Sequence, residues 1–217
     1  MTMDFNLARS TMIEQQVRPW EVLDPRVLDV LGQLRREDFV PALYRRQAFT
    51  DIALPLGHGE MMMKPAVEGR MLQALDLDPA DEVLEIGTGS GFATACLARL
   101  AHAVTSIDRH ADFVESARAR LSAAGIHNVR LETADALAYD SAHRFDAVCV
   151  TGAVAELPPR FLDWVKPEGR LFVVRGAAPV QEALRMTRRG AGWHAESLFE
   201  TDIPYLHGAA PLPRFAL

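Results

Sequence analysis

Residues 83–91 read Val-Leu-Glu-Ile-Gly-Thr-Gly-Ser-Gly, and they carry the densest chemistry in the chain. Gly87, Gly89 and Gly91 let a backbone approach a ligand closely, because no Cβ stands in the way. Glu85 sets the polarity of what is approached: a carboxylate suits the amino end of a zwitterionic ligand and would repel a pyrophosphate. A dinucleotide fingerprint, Gly-x-Gly-x-x-Gly, would need its third glycine at position 92, which is Phe92. An apolar strand (Val83, Leu84, Ile86) runs into the glycines, and a helical segment from Phe92 to Leu100 follows at once.

Three further strand ends carry matching chemistry. The segment Ala103-Val104-Thr105-Ser106-Ile107-Asp108 ends in a carboxylate about twenty positions beyond Glu85, the spacing of an acid that accepts ribose hydroxyls. Thr133-Ala134-Asp135-Ala136 places another acid where an adenine amino group could donate to it. Phe145 to Gly152 ends at Thr151, the expected position of the reacting centre. Each acid alone has a plain alternative as a loop carboxylate or helix N-cap. Their joint occurrence at successive strand ends favours a nucleoside pocket. The Glu-x-Gly-x-Gly-x-Gly pattern resembles motif I of the class I S-adenosylmethionine (AdoMet) methyltransferases. That resemblance implies a cofactor site of Glu85, Ile86, Gly87, Thr88, Gly89, Gly91, Asp108, Arg109, Asp135, Ala136 and Thr151, with S-adenosylhomocysteine as product.

The elements that must position these residues alternate from residue 82 onward. Strands are expected at 82–86, 103–108, 129–133, 145–151 and 170–174, with helices at 91–101, 111–124 and 157–165 between them. Such alternation indicates a parallel sheet with helices on both faces. A helix over roughly 179–188 and a strand near 194–203 are expected to finish the sheet before a Pro-rich tail. Asp146, ahead of its strand, reads as structural. Before residue 81 the chain reads as helical: Asp24-Pro25 is a start signal, and Val27, Leu28, Leu31 and Leu34 form one apolar stripe. Residues 39–60 read as an ordered connecting loop, and Ala66 to Leu77 as helix ended by Pro79. The expected fold is α/β: a doubly wound, mostly parallel, Rossmann-like sheet, seven-stranded by the methyltransferase resemblance, with an N-terminal helical extension. Residues 1–80 would form that extension and a substrate loop, and 81–217 the AdoMet-binding unit.

With 217 residues, 49% hydrophobic and 24% charged, the chain has ordinary globular composition. A net charge of −6 argues against a broad nucleic-acid footprint. Arg185, Arg188 and Arg189 read as a solvated helix end. The N-terminus has no cationic start leading into an apolar core, and no run of about 18 apolar residues occurs. A cytoplasmic protein without membrane contact is therefore expected. Cys96 and Cys149 sit in apolar segments and read as packing residues, and no His/Cys cluster has metal-ligand spacing, so no metal is expected.

The segment Asp51-Ile-Ala-Leu-Pro-Leu-Gly-His-Gly-Glu60, then Pro65 and its helix, then Leu84-Glu-Ile-Gly-Thr-Gly-Ser-Gly91, resembles the protein-L-isoaspartate O-methyltransferases. Phe39-Val40-Pro41, Val150-Thr151-Gly152-Ala153 with Leu157-Pro158, and Gly169-Arg170-Leu171 after Pro167 are similar to that family too. The resemblance runs from roughly residue 24 to 206. It implies methylation of the misplaced α-carboxylate of isoaspartyl residues in damaged proteins or peptides, starting repair through a succinimide.

One departure bears on the acceptor. Where the family has Gln-Thr-Ile-Ser-Gln-Pro, this chain has Glu60-Met61-Met62-Met63-Lys64-Pro65. The family's Ser, a contact for the substrate carboxylate, falls on Met63, and its Thr on Met61. A thioether cannot donate a hydrogen bond. No catalytic side chain is therefore assigned, and His58, Glu60, Met61, Met62, Met63 and Lys64 are the candidate acceptor contacts. Besides the isoaspartyl activity, two readings stay open: a methyltransferase of the same ancestry with another acceptor, peptidic or small, and a non-catalytic AdoMet-binding partner. A Rossmann oxidoreductase is more distant.

Overall fold

Among the described residues, seven strands form one sheet in the order β5-β4-β3-β6-β7-β8-β9. They are β3 (Glu82–Ile86), β4 (Ala103–Asp108), β5 (Val129–Thr133), β6 (Phe145–Val154), β7 (Val165–Ala177), β8 (Val180–Arg189) and β9 (Gly192–Thr201). The computed structural model describes residues 3–212; the end of the Pro-rich tail, 213–217, lies outside them. Strands β5 to β7 run parallel, and β8 and β9 are added antiparallel. Strand order reverses between β3 and β6, which opens a crevice at their carboxyl ends.

Successive residues on the buried strands face opposite layers. Val83, Val104, Ala147, Cys149 and Phe172 pack with α2 (Pro25–Gln33), α3 (Pro65–Leu75) and α4 (Phe92–Leu100). Leu84, Ile107, Val148, Leu171 and Val173 pack with α6 (Pro159–Asp163), chiefly its Phe161 and the adjoining Trp164. Helix α5 (Ala111–Ala123) lies along β4 and β5 and ends before Gly125, whose φ of +67° closes the turn. The core is continuous from the N-terminal helices into the sheet: Met12, Val17 and Leu31 share a cluster with Val83 and Phe92. Helix α1 (Phe5–Met12) is capped by Asp4, which accepts from the amides of Asn6 and Leu7.

The expected strands and most helices lie where the alternation puts them, with two corrections. Residues 179–188 are not helical; β8 there pairs with β7 on one side and β9 on the other. Gln, Glu, Ala, Leu, Arg and Met favour a helix locally, but the free edge of β7 demands a partner, and pairing wins. Arg185, Arg188 and Arg189 accordingly project from a strand. Arg185 pairs with Glu196 at 2.6 Å, and Arg188 donates to the Val165 carbonyl at 2.7 Å. The second correction lies within residues 39–60, where the chain makes a 3-10 turn (Ala42–Gln47) and then a β-hairpin. Strands β1 (Leu54–Gly57) and β2 (Glu60–Met62) meet through a turn in which Gly57, His58 and Gly59 all have positive φ.

Asp146 is structural: its Oδ2 accepts from the Glu82 amide at 2.8 Å and from Lys166 Nζ at 2.9 Å, joining the starts of β3, β6 and β7. Cys96 and Cys149 are free and buried, and burial pushes both thiols up, which keeps them protonated packing groups. No helix among the described residues is long and apolar enough to cross a membrane.

Candidate active site

Four strand ends and the hairpin enclose one cleft. Its floor is the turn from Ile86 to Ser90; its walls include Asp108, Arg109 and His110 after β4, Ala134 to Leu137 after β5, and Thr151 with Gly152 on β6. Leu56 and Glu60 to Met63 close it from the hairpin, Glu68 reaches in from α3, and Pro204, Leu206 and His207 approach from the C-terminal segment.

The glycine turn is held from beneath. Gly87 has φ +98°, and a Cβ there would stand 2.3 Å from Thr151 Oγ1. That hydroxyl donates to the carbonyls of Gly87 at 2.7 Å and Ile86 at 2.9 Å, so Thr151 fixes the turn as well as lining the cleft. Gly91, at φ +82°, is a packing glycine: a Cβ would stand 2.9 Å from that of Ala117 on α5. It does not line the cleft.

Asp108 binds the turn directly. Its Oδ2 accepts from the Gly89 amide at 2.8 Å and its Oδ1 from the His110 amide at 2.9 Å. Each oxygen keeps further acceptor capacity and Asp108 lines the cleft, as a diol contact requires. Asp135 is exposed and accepts from the Leu137 amide at 2.9 Å, which shapes the turn after β5.

Glu85 sits elsewhere than its neighbours. It is fully buried behind the glycine turn and outside the cleft lining. Its Oε2 accepts from the hydroxyls of Thr94 and Ser106, and Ser106 lies 2.6 Å from Thr88 Oγ1. With Ser106 donating to Glu85, Thr88 must donate to Ser106, so a hydroxyl relay ties the acid to the turn. Glu85 Oε1 is buried with no protein partner among the described residues. Burial pushes this carboxyl up to about 8 against the pull of the two hydroxyls.

Of the hairpin residues, Glu60, Met61, Met62 and Met63 line the cleft. Met62 and Met63 are buried and Met61 is half-buried, so the run packs and faces the cleft at once. Burial raises the Glu60 carboxyl, while His110 opposes that shift. Lys64 is exposed and precedes Pro65 at the start of α3, outside the cleft. His58 is exposed at the hairpin turn, also outside the lining, and stacks on His110.

Arg36 and Glu68 stand in no local motif of the sequence. They form a fully buried ion pair beneath the methionine run. Arg36 also donates from Nε to the Ala48 carbonyl and from Nη2 to the Met63 carbonyl, both at 2.8 Å, and its guanidinium stacks 4.7 Å from the Phe92 ring centroid. Glu68 faces the cleft, and burial pushes it up to about 7 even with Arg36 pulling it down. Arg36 stands in a charged run, Arg35-Arg36-Glu37-Asp38, that carries no periodic signal of burial. His110 and the 204–207 segment were missed as well; neither has a local motif.

The donor set fits AdoMet. Asp108, Asp135 and Glu60 face the cleft beside a glycine-rich turn, while Glu68 is paired with Arg36, and this balance favours a cationic nucleoside over a pyrophosphate. Asp108 and Asp135 would hold the nucleoside, and the Gly87–Gly89 backbone would lie beside it.

The comparisons with known proteins agree. A chain from Plasmodium falciparum, described as a protein-L-isoaspartate O-methyltransferase in complex with S-adenosyl-L-homocysteine, superposes with a TM-score of 0.78 at 18% identity. The match covers 94% of this chain and 99% of that one, and shows the shared fold. Protein-L-isoaspartate O-methyltransferase of Methylorubrum populi is 39% identical over 184 residues, 84% of this chain and 86% of the relative. That of Methylorubrum extorquens is 41% identical over 184 residues, covering 84% and 80%. A family profile described as Protein-L-isoaspartate(D-aspartate) O-methyltransferase matches residues 7–201. The chain belongs to the protein-L-isoaspartate O-methyltransferase family.

Proposed function

We propose that the protein is an AdoMet-dependent O-methyltransferase acting on the free carboxylate of isoaspartyl residues in proteins or peptides. The observation that carries this reading is one cleft, in a chain of this family, lined both by the candidate nucleoside acids Asp108 and Asp135 and by the hairpin residues Glu60 to Met63, which the family resemblance assigns to the acceptor. When bound, the cofactor supplies an electrophilic methyl group on a sulfonium.

The acceptor oxygen needs no general base. Carboxyls of this kind titrate near 3.9 and are ionised at neutral pH, so the chain has only to align the oxygen and exclude water. Thr151 and Asp108 hold the glycine turn in one conformation, and Arg36 holds the backbone of Met63. The methionine run shields the acceptor from water and donates no hydrogen bond to it.

That run also motivates the second reading, an altered and less polar acceptor. Both are tested by incubating the protein with tritiated AdoMet and either an isoaspartyl peptide or cell extract. Base-labile label on the peptide supports the isoaspartyl assignment. Label confined to the extract supports another acceptor, and label in neither removes both.

A further inference from the structure

At the lip of the cleft, where the hairpin turn meets the N-terminus of α5, two imidazoles and a carboxylate converge. His58 occupies the turn between two glycines with φ +53°, and its ring meets α5 at Asp112 and Phe113. The ring stacks on His110 with centroids 4.1 Å apart and 10° between planes. Phe113 meets both rings edge-on at 5.3 and 5.2 Å. His58 Nε2 lies 2.9 Å from Asp112 Oδ2, and one ligand atom from each of His58, His110 and Asp112 lies within 4.8 Å of the others. Glu60 Oε1 stands 3.9 Å from His110 Nε2.

Two neutral imidazoles and one carboxylate are the donor set of borderline divalent cations, with water in the fourth position. We propose that His58, His110 and Asp112 bind a zinc-class divalent cation at this lip. Metal–nitrogen bonds of about 2.0–2.1 Å in tetrahedral array put ligand atoms roughly 3.3 Å apart, so the cluster must close by roughly 1.5 Å at most. Side-chain rotation can supply that, because His58 and Asp112 are both solvent-exposed. Phe113 gives the site an apolar back wall, and Glu60 is the nearest further carboxylate.

The site stands apart from methyl transfer but shares a wall with it. His110 lies two residues beyond Asp108, and His58 is in the hairpin turn, so a bound cation would pin the hairpin to the end of β4. The three ligands come from a turn and a helix start more than fifty positions apart, which is why no metal spacing shows in the sequence.

The test is a Co2+ titration of the intact chain followed by visible absorption. One Co2+ per chain with the intense visible bands of tetrahedral cobalt, displaced by Zn2+ and lost in both His58→Ala and Asp112→Asn, is the expected result. Absence of saturable uptake, or uptake retained by both variants, overturns it. The unaltered chain gives a second readout that needs no variant. Co2+ must shift the ring-proton resonances of His58 and His110 before those of the other five histidines, and the reverse order overturns the assignment.

Discussion

Arg36 donates through Nη2 to the carbonyl of Met63 at 2.8 Å, so a buried guanidinium fixes the backbone of the segment that follows the hairpin and lines the cleft. The same side chain neutralises Glu68, which faces the cleft, and caps the Ala48 carbonyl. Arg36→Lys keeps the charge but cannot span the carboxylate and both carbonyls, since an ammonium lacks the planar fork. A cost of about 1–3 kcal/mol in urea unfolding is expected from the stranded carbonyls. The functional signature is a raised KM for the methyl acceptor with the AdoMet Kd nearly unchanged; an unchanged acceptor KM would deny Arg36 this positioning role.

Gly87 and Thr151 form a lock that a single methyl group breaks. Gly87→Ala puts a Cβ 2.3 Å from Thr151 Oγ1 at a φ of +98°. The variant is expected to lose more than about 1 kcal/mol and most of its AdoMet affinity. Thr151→Ala added to it removes the clash but neither the φ strain nor the lost hydroxyl donor, so the double variant recovers part of the stability only. Calorimetric melts of the four proteins in this cycle measure the coupling. Additive losses would mean that the two residues do not meet.

Glu85 gives a pH dependence with a definite sign. Burial raises its folded-state value to about 8 from an ordinary 4.5. Above the unfolded value the folded state therefore holds a proton that the unfolded chain has released, and stability falls as pH rises between about 4.5 and about 8. One group contributes a slope of at most about 1.4 kcal/mol per pH unit. Glu85→Gln abolishes that titration, so the stability difference between variant and parent should grow in the variant's favour up to about pH 8 and then level off. Chemical denaturation at a series of pH values reads it directly. A difference independent of pH would place a charged Glu85 in the folded protein throughout.

How much of this was legible depended on range. The parallel strands, Asp108 and the glycine turn were readable because their signals are local: apolar runs, a strand-end acid and glycines in sequence. The strand at 180–189 departs from the expected helix because its residues have helical propensity and its pairing with β7 is a long-range event. Glu85 stood in the motif, yet its burial behind the turn depends on Thr94 and Ser106, which belong to two other elements. Arg36 is illegible for the opposite reason: charged neighbours suggest a solvated side chain, and its burial rests on distant partners, Glu68 and the carbonyls of Ala48 and Met63.

The methionine run is the feature most open to direct experiment. Met61 and Met63 both line the cleft, and Met63 has Arg36 behind its carbonyl, so new side chains there would start from a fixed backbone. In the family pattern these positions are Thr and Ser, each able to donate a hydrogen bond to the acceptor carboxylate. A hydrogen bond to a charged group contributes roughly 1.5–3 kcal/mol, or about ten- to a hundred-fold in binding or rate. Met61→Thr with Met63→Ser should therefore raise kcat/KM for an isoaspartyl peptide by about that factor. The same change removes buried thioether volume and should cost about 2–5 kcal/mol of stability, so the assay belongs at low temperature with the folded fraction measured. A gain in turnover would identify the run as a brake on isoaspartyl methylation. A loss, with folding intact, would show that the pocket is built around the thioethers.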